Sequence, residues 1–199
     1  MTTNISPVGI QFTETMRGYF SSKVKDDYES AARQGKEDSS KFEFTLTVTA
    51  DDLDNFLNQE NHQAQLVGSV TAPAISSQPL KVNEGEFNLF VVDSTRVETR
   101  QMRYRMQMVA EDGKVYYLDG FKLIHNDPGF DLWSDTTTLY IDVYDGESDS
   151  SPLLGKGILQ ILPEDFMRQM TTIKATNAET TEQNLKAIAL FGYFFGGVL

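Results

Sequence analysis

Hydrophobic and polar positions alternate with a period of two through most of the middle of the chain. KFEFTLTVTA (41–50) places Phe42, Phe44, Leu46 and Val48 in one phase and Glu43, Thr45 and Thr47 in the other, which predicts a strand buried on one face. TRQMRYRMQMVA repeats the pattern, with Met102, Tyr104, Met106 and Met108 alternating against Arg103, Arg105 and Gln107. KVYYLDGFKLIH follows across EDGK, where Asp112-Gly113 predicts a hairpin with a type I′ turn. AQLVGSVTAP, PLKV and EFNLFVV read as short strands punctuated by Pro73, Pro79 and Gly85, and TTTLYIDVYDG and GKGILQILP as two more flanking the polar loop ESDSSPLL. Gly155 and Gly157 read as points of close backbone approach within a strand. At least seven strands at this spacing, mostly joined by short polar turns, predict a mainly β fold, an antiparallel β-sandwich or barrel rather than βαβ units.

Helical patterns are fewer, two or three short segments. Residues 24–38, VKDDYESAARQGKED, have helix-forming composition but a poor apolar stripe and read as a solvated helix or a mobile insertion. TADDLDNFLNQ sets Leu53, Phe56 and Leu57 at helical spacing, with Thr49 as candidate cap and acidic residues in the first turn. LPEDFMRQM reads as a helix with Pro163 in its first turn. Both follow a strand and open on acidic residues, which hints at a repeated strand-plus-helix unit. The segment 178–199 begins as a helix through Leu185, Ile188, Phe191 and Phe195, and Gly192, Gly196 and Gly197 are expected to erode it. Either it covers a mouth or edge of the β structure, or Tyr193, Phe194 and Phe195 form an apolar surface for a partner. Residues 1–199 are thus expected to form a single β domain.

Charge and composition narrow the function. The chain of 199 residues carries a net charge of −12 and no cysteine. Disulfides, thiolate metal sites and cysteine nucleophiles are thereby excluded, and nucleic acid and anionic membranes are disfavoured partners. His62 and His125 are the two histidines, and neither belongs to a short-range metal motif. MTTNISPVGIQF lacks the basic and apolar regions of a signal peptide, and AIALFGYFFGGVL (187–199) is shorter than the roughly 20 residues a membrane span needs. A cytoplasmic protein with no membrane span is expected.

Two loops concentrate carboxylates. HNDPGFDLWSD (125–135) groups His125, Asp127, Asp131 and Asp135 beside Trp133, a set suited either to acid–base catalysis or, through Asn126-Asp127-Pro128-Gly129, to a tight turn. DVYDGESDSSPLLGKGIL (142–159) groups Asp142, Asp145, Glu147 and Asp149. Its run LYIDVYDG, then Asp149, then LLGKGIL is similar to one strand–loop–strand passage of calcium-binding C2 domains, so a calcium-dependent module is one alternative and an enzyme built on His125, Asp127 and Asp131 another. No GxSxG, Walker or GxGxxG pattern occurs. The methionine face of 102–108 reads as core or as the wall of an adaptable apolar pocket, with Trp133 as a further lining residue. On the opposite face, Arg103 and Arg105 are expected to pair with acidic neighbours such as Asp119 or Glu98.

Several stretches in fixed order, FTETMRGYFS, FEFTLTVTADDLDNFL, GSVTAP, PLKVNEGEFNLF, MRYRM, YYLDGFKLI, DLWSDTTTLYIDVYDG and GKGILQILPEDFMRQM, resemble an accessory region of large bacterial proteins. Those proteins join it to a cholesterol-oxidase-like flavoprotein of the glucose-methanol-choline oxidoreductase class, sometimes with an α/β-hydrolase module. FGYFFGG is similar to the segment that follows that region. The flavin-binding GxGxxG and the catalytic histidine of that class have no counterpart here. The resemblance implies a binding or interaction module without a cofactor, directed at a hydrophobic molecule of sterol or lipid type or at a partner oxidoreductase.

Overall fold

The computed structural model of the protein describes residues 6–92, 99–125 and 136–198. Ten strands are present: β1 (Gly9–Ser21), β2 (Lys41–Ala50), β3 (Gln63–Thr71), β4 (Leu80–Val82), β5 (Gly85–Val92), β6 (Thr99–Val109), β7 (Val115–His125), β8 (Thr138–Tyr144), β9 (Leu153–Gln160) and β10 (Lys174–Thr176). Among the described residues four helices accompany them: α1 (Tyr28–Glu37), α2 (Leu53–Asn58), α3 (Pro163–Thr172) and α4 (Thr181–Val198). The mainly antiparallel β fold read from the alternation is what forms, and it is a closed barrel of eight staves. From β1 to β9 the staves pair in chain order, with β4 and β5 sharing the stave between β3 and β6, and β9 returns to β1.

Closure depends on backbone approach at the β1–β9 seam. Arg17–Ser21 pair with Lys156–Gln160. A Cβ on Gly18 would strike the backbone of Ile158, one on Gly155 the Ser21 carbonyl and the Phe20 ring, and one on Gly157 the Tyr19 carbonyl. The seam covers only the last five of the thirteen residues of β1. Farther toward its N-terminus, Gly9–Gln11 pair with β10 instead. In the gap between, Thr172 at the end of α3 stands in for a strand: the Thr13 N–H donates to Thr172 Oγ1 at 2.8 Å, and the same oxygen lies 3.3 Å from the Thr13 carbonyl. Arg17 fastens α3 to the wall by bridging Glu43 and the buried Asp165.

The two halves of the barrel interior differ as a result. Around the seam, Met16, Phe20, Phe42, Phe44, Met106, Met108 and Leu118 are buried in a filled core. At the opposite end, where β1 parts from β9, the staves enclose a cavity roofed by α3 and α4. Outside, Arg103 makes a two-pronged bond to Asp119 at 2.8 Å on each oxygen, and Arg105 bonds Glu86 and Asn88. The outer arginines therefore are neutralised across strands, through Asp119 as expected; Glu98 lies outside the described residues.

Local features depart from the pattern-based reading in four places. The β6–β7 hairpin has a three-residue loop in which Gly113 (φ +85°) takes the left-handed position and Asp112 does not, so it is a type I turn with a glycine bulge rather than type I′. Asp52, not Thr49, caps α2 by accepting from the Asn55 N–H at 2.9 Å, because Thr49 is still paired within β2. Residues 28–37 form a docked helix despite the poor apolar stripe. Ala31 is buried, Gly35 lies against the Phe20 backbone, and the Tyr28 hydroxyl donates to Asp142 at 3.0 Å. Small residues allow that contact, and small residues leave no trace in a hydrophobic stripe. Finally, α4 continues through Gly192 and Gly196 to Val198. A reciprocal cap starts it, with Thr180 Oγ1 accepting from the Gln183 N–H and Gln183 Oε1 from the Thr180 and Glu179 N–H groups.

Gly155→Ala is expected to cost roughly 2–4 kcal/mol by forcing the seam apart. Gly113→Ala, with nothing within 4 Å of the added methyl, is expected to cost only the left-handed conformation, about 1–2 kcal/mol. Urea unfolding midpoints of the two variants test the difference, and equal losses would mean that the seam is not tightly constrained.

Candidate functional site

The strand alternation that builds the barrel carries two charged residues into its interior. On β1 the inward phase is Ile10, Phe12, Glu14, Met16, and on β7 it is Tyr116, Leu118, Gly120, Lys122, Ile124. Glu14 is 3 % exposed and Lys122 1 %. Lys122 Nζ donates to Glu14 Oε2 at 3.1 Å, and the hydroxyl of Tyr104, itself buried, donates to Glu14 Oε1 at 2.9 Å. Gln169 Nε2, reaching down from α3, lies 3.4 Å from Glu14 Oε2. The ammonium also sits 5.2 Å from the centre of the Tyr104 ring.

These groups lie in the wall of a cavity of about 680 Å³ whose remaining lining is mostly apolar. Phe12, Phe87, Leu89 and Met102 come from the staves, Phe166 and Met170 from α3, and Ile188, Phe191 and Phe195 from α4. The volume falls in the range of about 300–1,000 Å³ usual for small-molecule sites, and an apolar hollow with a few converging polar groups is their usual form. Gly192 and Gly196 also line it, and a Cβ on either would meet nothing within 4 Å. Beneath α4, Phe194 packs on His62 (4.9 Å between ring centres) and Phe90 (6.2 Å), and Phe195 packs on Phe90 (5.4 Å). His62 and Phe90 both adopt positive φ, +37° and +54°. The His62 ring is oriented by Nδ1 at 2.8 Å from the Phe56 carbonyl.

Removal from water shifts both partners of Glu14. Burial pushes the Lys122 ammonium down, with Glu14 opposing, and burial together with the Glu14 charge pushes the Tyr104 phenol well up. Tyr104 consequently stays protonated and donates to the carboxylate. A buried ion pair of this kind is weak support for stability, because apolar residues of similar volume often serve as well. Its position in a cavity wall marks it instead as a functional candidate.

The sequence-based candidates separate in the fold. Met102 and Tyr104 line the cavity, whereas Met106 and Met108, farther along the same face, are buried in the filled half. Phe194 and Phe195 turn onto the barrel, and Tyr193 is 83 % exposed. Trp133, Asp127 and Asp131 lie outside the described residues, and His125 ends β7 in register with Thr99. In the second acidic loop, Asp142 is held by Lys156 at 2.6 Å and by Tyr28, and Asp145 by Lys114 at 3.0 Å. Among the described residues, no three acidic or histidine side chains converge as a metal site would require. Glu14, Lys122 and Gln169 were not among the residues read from sequence. The signal for the first two was present: each is a charged residue in the apolar phase of an alternating strand. Gln169 carries no such signal, since α3 reaches Glu14 only through the tertiary fold.

No protein-family model, curated protein or solved structure matches the chain. Among the described residues no helix is long and apolar enough to cross a membrane.

Lys122→Met alone, which leaves Glu14 buried without its counter-charge, is expected to cost about 3–5 kcal/mol. Adding Glu14→Leu should restore most of that loss, so a double-mutant cycle in urea reads the coupling directly. A double variant as unstable as the single one would show that the pair is not coupled. A second expectation concerns alkaline pH. Burial raises the phenols of Tyr28, Tyr104, Tyr117 and Tyr144, reinforced by acidic neighbours. A raised folded value means stability complete below the unfolded value near 10 and lost as pH rises through it. Lys122, lowered in the fold, acts in the opposite sense below about pH 10, but it is one group against four. Melting temperatures taken across this window should hold and then fall above about pH 10 as phenolate absorbance rises with unfolding; phenolate absorbance from all four tyrosines in the still-folded chain would contradict the assignment.

Proposed function

We propose that the protein is a binding module whose barrel holds an amphipathic, mostly apolar small molecule of sterol or lipid type. One observation carries this reading: the Glu14–Lys122–Tyr104 cluster lies in the wall of an apolar cavity of about 680 Å³, beneath two helices that a ligand could displace. Apolar area lost from water supplies the affinity, at about 25 cal/mol per Å², and the polar cluster sets the orientation. The flexible thioethers of Met102 and Met170 suit a wall that adjusts to shape. The two glycines on the cavity side of α4 leave room for the ligand body.

The resemblance to an accessory region of flavin oxidoreductases supports a narrower form of the same reading, in which the bound molecule is exchanged with a partner oxidoreductase. The exposed ring of Tyr193, on the helix that roofs the cavity, is where such a partner would be sought.

The test is occupancy. Purified protein should raise the fluorescence of N-phenylnaphthylamine, and native mass spectrometry should show it leaving with a bound apolar molecule. Gly192→Leu and Gly196→Leu add bulk at the cavity from positions where the first added carbon meets nothing within 4 Å, and replacing a helix glycine favours the helix by up to about 1 kcal/mol. Both variants should keep the melting temperature and lose probe binding at least tenfold. Unchanged binding in both would place the probe elsewhere and remove this reading.

A further inference from the structure

The hydrogen-bonding inventory of the cavity wall indicates which kind of polar head the ligand carries. We propose that the site accepts a neutral hydroxyl, so that its ligand is an apolar alcohol and not a carboxylic acid. This rests on the reading of the cavity as a ligand site.

Charge is the first constraint. Glu14 and Lys122 cancel one another, and Tyr104 donates a proton that it retains. An arriving carboxylate would give this buried site an uncompensated negative charge a few ångströms from Glu14, an arrangement that low-dielectric surroundings penalise heavily.

Valence is the second. Tyr104 and Lys122 occupy Glu14 from two sides, and Gln169 Nε2 approaches Oε2 as well. A carboxylate only accepts, so the neighbouring end of Gln169 is its amide nitrogen, and Gln169 Oε1 is left over. That oxygen is buried and has no hydrogen-bond partner. Lys122 has three N–H donors and, among the described residues, one hydrogen-bond acceptor, the Glu14 carboxylate. Beside the cavity the cluster thus leaves donors on Lys122 beyond those the described residues use, and an acceptor on Gln169 that a turn of its amide brings to the cavity. A hydroxyl accepts from the first and donates to the second. A ketone satisfies only Lys122, a hydrocarbon satisfies neither, and a carboxylate turns a lone pair toward Gln169 Oε1. Sites that leave a buried polar group unpaired with the wrong ligand discriminate strongly against it.

Displacement of N-phenylnaphthylamine from the full chain by dodecanol, decyl methyl ketone and dodecanoate at neutral pH tests the assignment, the three sharing one chain length. Dodecanol is expected to bind about 10- to 100-fold more tightly than either competitor. Gln169→Leu, on the roof helix, should bring the alcohol down to the ketone and leave the ketone unchanged. Glu14→Gln, which removes the negative charge but keeps the shape, should favour dodecanoate by leaving Lys122 without its counter-charge. Probe binding with dodecanoate equal to or tighter than dodecanol in the native protein would overturn the hydroxyl assignment and leave the binding site standing. No probe binding at all would overturn both.

Discussion

Everything distinctive about this barrel follows from how far β1 can pair with β9. An eight-stave barrel needs its first and last strands to meet, and here they meet over Arg17–Ser21 because Gly18, Gly155 and Gly157 let the two backbones close. Beyond that point β1 continues and β9 does not. The exposed backbone edge is satisfied by a threonine hydroxyl from α3 and by the short strand β10, as an edge inside a folded protein must be. One end of the interior is therefore sealed by strands and fills with side chains, while the other is sealed by helices and keeps a hollow.

The charged cluster belongs to that same division. Beneath the helix roof the cavity is kept open, and Glu14, Lys122 and Tyr104 lie in its wall. The cluster is satisfied internally only in part. Glu14 is surrounded by donors, yet Gln169 Oε1 has no partner. Fully satisfied buried networks rigidify a core, whereas partly satisfied ones are conspicuous in a folded protein. The aromatic contacts of Phe194 and Phe195 on His62 and Phe90 hold the roof down through two residues in the left-handed region, a conformation that the surrounding structure must stabilise. At the edge of the cavity α4 is thus held to the wall by contacts between rings, whereas α3 is held by Arg17 and by the Thr172 hydroxyl.

Much of the fold was legible before any coordinates. The period-two phases of β2 and β6 mark their inward faces correctly, since Phe42, Phe44, Leu46, Val48, Met102, Tyr104, Met106 and Met108 are all buried; β7, β8 and β9 form over stretches read as strands, and the glycines of β9 are points of close approach as read. The candidate site was half legible. Met102 and Tyr104 stand in it, but Met106 and Met108 do not, because a face of one strand crosses from the hollow half to the filled half and the alternation is the same in both. Glu14 and Lys122 were overlooked because a charged residue in an apolar phase reads as an interruption of the pattern; two such interruptions of opposite sign on different strands are better read as a pair.

The sequence by itself determined the strands, their inward faces and the glycines that permit closure, because those depend on side-chain alternation and backbone sterics within a few residues. The tertiary structure decided that the sheet closes into a barrel, that β9 stops short of the end of β1, and that Glu14, Lys122 and Gln169 converge although 108 and 155 positions separate Glu14 from the other two. Convergence of that kind is set by strand register and by where a helix crosses an open edge, neither of which is encoded in any local run of residues.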